Sequence, residues 1–430
     1  MRSRIPPGPS SRRPILGGTR RRWRPLGAAV AAIALTACDA GGAGGIPTSG
    51  PVTIEFATQG LGREGDATNR VVAAFEVANP SIHVNVLSLS AVADQAYAEL
   101  VQRFGAGGPV PDVATLDVIW PAAFAKAGWL APLDRFQPSR TNFNPAQLRA
   151  GTYQGRLYAV PWFINAEGVY YRTDLVPQPP DSPQQLVQAA LAAMGKDPSI
   201  RNGLAFEGDR YEGVVTAFIS FGGALDLRRI DSPRNVRALT YMHDAIYASR
   251  ISPPATTGWQ EPDVQRSYLE GGAAFAMNWP YIFSLAEAPS SPVRDRTAWM
   301  PFPSADGRPQ AALGGDVLGI NSRSPHQEVA WKFVQYLLRD DVQIQRALVA
   351  GDPPAVRSAY NDALFEQAPF YRDEQKVFDV ATPRPVDPQY PTISRILQQQ
   401  INATLSNQVA PQAALTAAQS QIDSVLRTGH

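Results

Sequence analysis

Apolar residues alternate along Val52–Thr58 (VTIEFAT), which predicts a strand. The spacing then changes. From Asp66 to Asn79 the apolar positions Val71, Val72, Phe75 and Ala78 recur at helical intervals, and Asn79-Pro80 stops that helix. Ile82–Leu89 reads as a second strand, Tyr97–Phe104 as a helix and Val113–Val118 as a third strand. A β-α-β-α-β order implies parallel strands with helices on both faces. Ligands of such sheets sit at the carboxyl ends of the strands. The loops Gln59–Glu64, studded with Gly60 and Gly62, and Asp117–Trp120 are therefore candidates for a binding site.

Further along, Leu157–Val160 and Gly168–Tyr171 read as strands on either side of Pro161–Asn165. Helices are expected over Pro183–Met194, Gly213–Ile219 and Val236–Tyr247. Ala273–Asn278 is a continuous apolar strand ending in Trp279-Pro280-Tyr281. Leu313–Asn321 (LGGDVLGIN) reads as one strand with a glycine pair near its start. Glu328–Leu338, Ile393–Leu405 and Pro411–Leu426 are amphipathic helices. The chain has no internal repeat.

The N-terminus follows a different pattern. A basic stretch with Arg20, Arg21, Arg22 and Arg24 precedes the uncharged run Leu26–Ala37, and Cys38 comes directly after small residues. This is the layout of a secretory signal. As a helix the run would span only about 18 Å, too short for a ~30 Å hydrocarbon core, so removal of residues 1–37 is expected. Cys38 in this setting resembles the acylated cysteine of a bacterial lipobox. The alternative is an ordinary free thiol, but no second cysteine exists for a disulfide. The arginine triplet loosely resembles a twin-arginine signal, and both export routes stay open. Residues 38–51 are glycine-rich and unpatterned, as a flexible tether would be.

The leader holds eight of the 39 basic residues and no acid, so the remaining 393 residues carry 31 basic against 38 acidic side chains, a net charge of −7. That balance argues against a nucleic-acid partner. A length of 393 residues suggests two globular lobes. One cysteine and four dispersed histidines, at 83, 243, 326 and 430, give no metal-site spacing, and no cofactor is expected. Four lysines against 35 arginines suggest a GC-rich coding genome.

Five segments in order resemble extracytoplasmic sugar-binding proteins of ABC importers, the family 1 solute-binding lipoproteins. They are Ile54–Asn79, Asp112–Leu133, Leu157–Leu175, Leu269–Tyr281 and Leu313–Asn321. The stretch from Glu328 to Tyr360 also fits, so the likeness covers the whole mature chain. LDVIW at 116–120, RYEG at 210–213, ISPP at 251–254, NWPY at 278–281, LGGD at 313–316 and RPVDPQYP at 384–391 bring it nearest to trehalose/maltose-binding proteins. No one motif is specific; six in order are. The resemblance implies a two-lobed, periplasmic-binding-protein-like (type II) α/β fold. Its first lobe would comprise 52–166 plus 321–376, and its second 167–320 plus 377–430. A sugar would lie in the cleft between them, and closure would be a hinge motion.

A neutral disaccharide needs strong hydrogen-bond partners for its hydroxyls and a flat apolar plate for its C–H faces. Asp117, at the end of an apolar strand, is a hydroxyl acceptor or a structural cap; the resemblance favours the former. Glu64 matches the family's first-loop acid, with a solvated loop charge as the alternative. Asn165 stands where relatives often carry aspartate, so its amide alters donor polarity. Trp279 is the expected stacking plate, with Tyr281 a weaker candidate and Tyr211 a cleft tyrosine of the second lobe. Trp162 or Phe163 either stacks or belongs to the core. Gly314 and Gly315 would let backbone approach the ligand, or mark a bulge. Asp316 replaces a tryptophan of relatives, and Arg384 would fork onto a hydroxyl pair or form a surface ion pair.

The implied function is that of a non-catalytic, monomeric binding protein, lipid-anchored through Cys38 to the outer face of the cell membrane. It would deliver an α-linked disaccharide, trehalose in preference to maltose-type sugars, to membrane permease subunits. A secreted glycoside hydrolase would need Asp117 and Glu64 ~5–9 Å apart as its carboxyl pair, and no catalytic motif supports it. A non-transport adhesin is the third class; it would lack closure on a ligand.

Overall fold

The computed structural model describes residues 50–60 and 62–428. The signal, Cys38 and nearly all of the tether lie outside the described residues. Among the described residues no helix is long and apolar enough to cross a membrane.

The first sheet has the order Ile82–Ser88, Val52–Thr58, Val113–Asp117, Asp316–Ile320, Ala159–Pro161. Its first three strands are parallel, as the sequence pattern implies. The fourth, Asp316–Ile320, is antiparallel to both neighbours because it enters from the other lobe. Helix Glu64–Ala78 covers this sheet through Val71, Val72 and Phe75. The Phe75 ring meets Phe333 edge-on at 5.0 Å, and Phe56 meets Phe333 at 5.3 Å. Burying a side chain of that size contributes about 1.5–3 kcal/mol.

The second sheet has the order Thr297–Met300, Gly168–Arg172, Ala273–Asn278, Asn202–Ala205. Ala273–Asn278 is buried at every position, which explains why it shows no alternation. One core joins this sheet to the helices around it. Ile393, Leu397 and Ile401 of helix Tyr390–Leu405 and Leu415 and Ile422 of helix Pro411–Thr428 belong to it.

Three segments cross between the two lobes, and they meet in a small sheet of their own. Pro309–Gly314 pairs with Asn165–Ala166 on one side and with Ala381–Thr382 on the other. The single strand expected over Leu313–Asn321 is in fact two strands in different sheets. Gly315 separates them at φ +100°, a conformation that suits only glycine, and a Cβ there would stand 2.3 Å from the Phe163 carbonyl oxygen. The chain therefore rejoins the first sheet at Asp316, ahead of the boundary expected at residue 321. The strand expected over Leu157–Val160 is also divided. Arg156–Leu157 forms a hairpin with Thr152–Tyr153, and Ala159–Pro161 joins the first sheet.

Candidate ligand cleft at the crossing strands

A narrow cleft of about 80 Å³ opens at this crossing. The first lobe contributes Gln59, Glu64 and Asp117 to its walls, and the second contributes Glu212, Gly213, Thr216, Glu261 and Trp279. Phe163, Asn165, Gly314, Gly315, Asp316 and Arg384 come from the crossing segments themselves. Eight of the ten residues singled out in the sequence thus converge on one space.

Arg384 is held between Pro383 and Pro385, just beyond strand Ala381–Thr382. The proline rings narrow its backbone freedom. Its side chain is almost fully buried and bridges the lobes, donating to Asp117 Oδ1 at 2.8 Å and to Glu212 Oε1 at 2.9 Å. Burial opposes its charge, but Asp117 and Glu212 outweigh that and hold the guanidinium above its ordinary pKa. Glu212 also accepts from the Tyr390 hydroxyl at 3.0 Å and from Ser394. Arg384 is therefore the centre of a buried network, not a surface ion pair.

Asp117 is one-sixth exposed, with a side-chain value of 16%. Burial pushes its carboxyl up, Arg384 pulls it down, and the Ile119 N–H donates to Oδ1 at 3.2 Å. Asp316 is directly opposite Asp117 in the antiparallel pair. Burial, reinforced by the Asp117 charge, pushes the Asp316 carboxyl up to about 8.

Glu64 does not sit in a solvated loop. It is the first residue of helix Glu64–Ala78, only 4% exposed, and its carboxyl lies close to that of Asp352, which pairs with Arg346 at 3.0 Å. Glu212 and Glu261 likewise each open a helix, Glu212–Ser220 and Glu261–Leu269. A helix N-terminus carries partial positive charge and favours a carboxylate. Three cleft acids share this device.

Trp279 follows the buried strand Ala273–Asn278, its backbone N–H donating to Asn278 Oδ1 at 2.8 Å. Its six-membered ring lies over Gly314, where a Cβ would stand 2.8 Å from Cζ3. The close packing of that plate on the crossing strand is what requires glycine at 314. The indole also faces the Glu261 carboxyl, whose pKa burial raises. Asn165 is buried in the wall, and its side-chain oxygen has no hydrogen-bond partner.

Two sequence candidates do not reach the surface of the cleft. Tyr211 is 2% exposed and folds across Gly213, its hydroxyl facing Glu261 without a hydrogen bond of good geometry. Tyr281 is 1% exposed and packs between Gly62 and Gly351, so it seals contacts between the lobes. Trp162 is fully buried under the Arg346 guanidinium, 4.7 Å from its ring, while Phe163 lines the cleft. Sequence reasoning missed Glu212 and Glu261. The sequence did carry a signal for the second: Pro262 follows it, as at the first turn of a helix.

Two lobes, three crossing segments and a polar cleft lined by Trp279 and Phe163 are the layout of a binding protein for a small ligand. The chain belongs to the bacterial extracellular solute-binding protein family, whose pattern matches residues 60–344. It is similar to the structure of maltose-bound T. maritima MalE3, with 33% identity and a TM-score of 0.81 over 87% of this chain and 99% of that one. It is also similar to a solute-binding protein of Thermotoga lettingae bound with α-D-tagatose, with 25% identity and a TM-score of 0.77 over 87% of this chain and 99% of that one. A probable ABC transporter-binding protein of Deinococcus radiodurans is 28% identical over 396 residues, 86% of this chain and 93% of that one. The two-lobed α/β fold expected from the sequence is the fold of these structures.

Proposed function

We propose that the protein is the sugar-capturing component of an ABC importer and that its ligand is an α-linked disaccharide, trehalose before maltose. The observation that carries this reading is the pairing of the Trp279 plate with the Asp117–Arg384–Glu212 network across one cleft. The plate suits the C–H face of a pyranose, and the network offers rigid charged partners to its hydroxyls. Similarity to a maltose-bound protein and to an ABC transporter-binding protein supports the same class. The preference for trehalose rests on the resemblance to trehalose/maltose-binding proteins, and Asn165 and Asp316 are the cleft positions at which that preference would be decided.

Asp117 is already engaged by Arg384, which makes it a fixed acceptor and a poor general acid. The lobes close on the sugar and open at the permease. Cys38 tethers the protein beside that permease, and a short linker raises the effective concentration there. Titration calorimetry with trehalose, maltose and sucrose tests the reading. Trehalose should give the tightest binding; absence of heat with every α-disaccharide would remove the proposal.

A further inference from the structure

The cleft walls are unequal in charge. Five carboxyl groups line it, from Glu64, Asp117, Glu212, Glu261 and Asp316, and among the described residues that line it Arg384 is the one cation. Arg384 is committed to Asp117 and Glu212. Glu212 is held further by Tyr390 and Ser394. The Asp316 carboxyl has no hydrogen-bond donor among the described residues, although it faces the same cleft. An independent feature points the same way. Asn165 is 7% exposed, and its side-chain oxygen stands in the cleft wall with no donor. The two residues are neighbours in the fold, since Asn165 pairs with Gly314 and Asp316 follows beyond Gly315.

We propose that the preferred ligand is a disaccharide carrying a protonated amino group, with its ammonium against Asp316 and Asn165 Oδ1. This rests on the sugar reading above and names the chemical class within it. An ammonium offers three donors and a charge, where a hydroxyl offers one donor and none. Hydrogen bonds between charged partners are about twice as strong as neutral ones. The same walls repel phosphorylated or sulfated sugars.

Proton movement should accompany binding. Burial and Asp117 push Asp316 up to about 8, Asp352 adds to this, and Arg346 and Arg384 oppose it. A carboxyl pushed up in this way holds more proton at pH 7 than a free one, and binding of an ammonium should release it.

The test is calorimetry on the full chain in detergent at pH 7, with trehalose and a mono-amino-deoxy trehalose, in two buffers of different ionisation enthalpy. The amino sugar should bind about tenfold or more tightly, with release of a proton and an advantage that shrinks at high salt. In Asp316→Asn the ratio of the two affinities should fall towards one. Equal or weaker binding of the amino sugar by the unmodified chain overturns the inference, as does an unchanged ratio in the variant. If neither sugar binds, the sugar reading itself falls and this inference with it.

Discussion

Arg384 donates a hydrogen bond to Asp117 at 2.8 Å and so ties the last crossing segment to the central strand of the first lobe. Its second terminal nitrogen holds Glu212 of the other lobe. Removing one partner of a buried charge pair leaves the rest uncompensated. Arg384→Met should lower stability by about 3–5 kcal/mol, read as a shift of the urea midpoint. Arg384→Lys, with a single charged nitrogen, should fall between the two. An unchanged midpoint in Arg384→Met would mean the network contributes nothing.

Trp279 is the one large aromatic face in the second-lobe wall of the cleft among the described residues. Trp279→Ala should weaken sugar binding by ~2 kcal/mol or more, the range of a buried aromatic anchor. Wild-type affinity by calorimetry would count against its role as the plate.

Neighbouring glycines should respond differently. At Gly314 a new Cβ meets Trp279, so Gly314→Val should displace the plate and cut affinity while the fold persists. At Gly315 the backbone itself forbids a side chain, and Gly315→Ala should cost ~1–3 kcal/mol of stability. Comparing melting curves with binding isotherms separates the two. Loss of fold in Gly314→Val, or none in Gly315→Ala, would contradict this account.

Asp316 is pushed up to about 8 by burial and by Asp117, and Glu167, chiefly through burial, up to about 7. Between the ordinary carboxylate range and those values the native state holds protons that the unfolded chain has released. The associated stability is complete below about pH 4 and is lost as pH rises through about 7 to 8. The Tm of the sugar-free protein should therefore decline from pH 5 to pH 8.5, and Asp316→Asn should flatten the upper part of that decline. A Tm that climbs over the interval would refute it.

Cys38 is the proposed anchor. Cys38→Ser should shift the protein from the membrane fraction to the soluble fraction without altering sugar affinity. Retention of the variant on membranes would point to another attachment.

Local period made much of the fold legible. Strand Val52–Thr58 has the limits its alternation implies, and Ala273–Asn278 has the limits of its apolar run. Asp117 and Trp279 stood out as candidates because each ends an apolar strand with a polar or aromatic group, and Arg384 stood out through the resemblance carried by RPVDPQYP; the structure brings all three to one cleft. Tyr211 and Tyr281 carried similar local signals, yet packing turned both away from the cleft. Glu212, next to Tyr211, faces it, since adjacent positions at a helix start point in different directions.

The sequence by itself determined most of the strands and helices and the family, because these depend on spacing between near neighbours and on the order of short motifs. Only the tertiary structure decided which residues share the cleft. Glu64, Glu212 and Glu261 open three separate helices, and nothing local to any of them says that the three ends meet. The break at Gly315 is of the same kind. A continuous run of strand-forming residues is divided there because Gly314 finds its partner in Asn165, while Asp316 finds its partner in Asp117. Pairing between distant segments sets that division, and periodicity along the chain does not encode it.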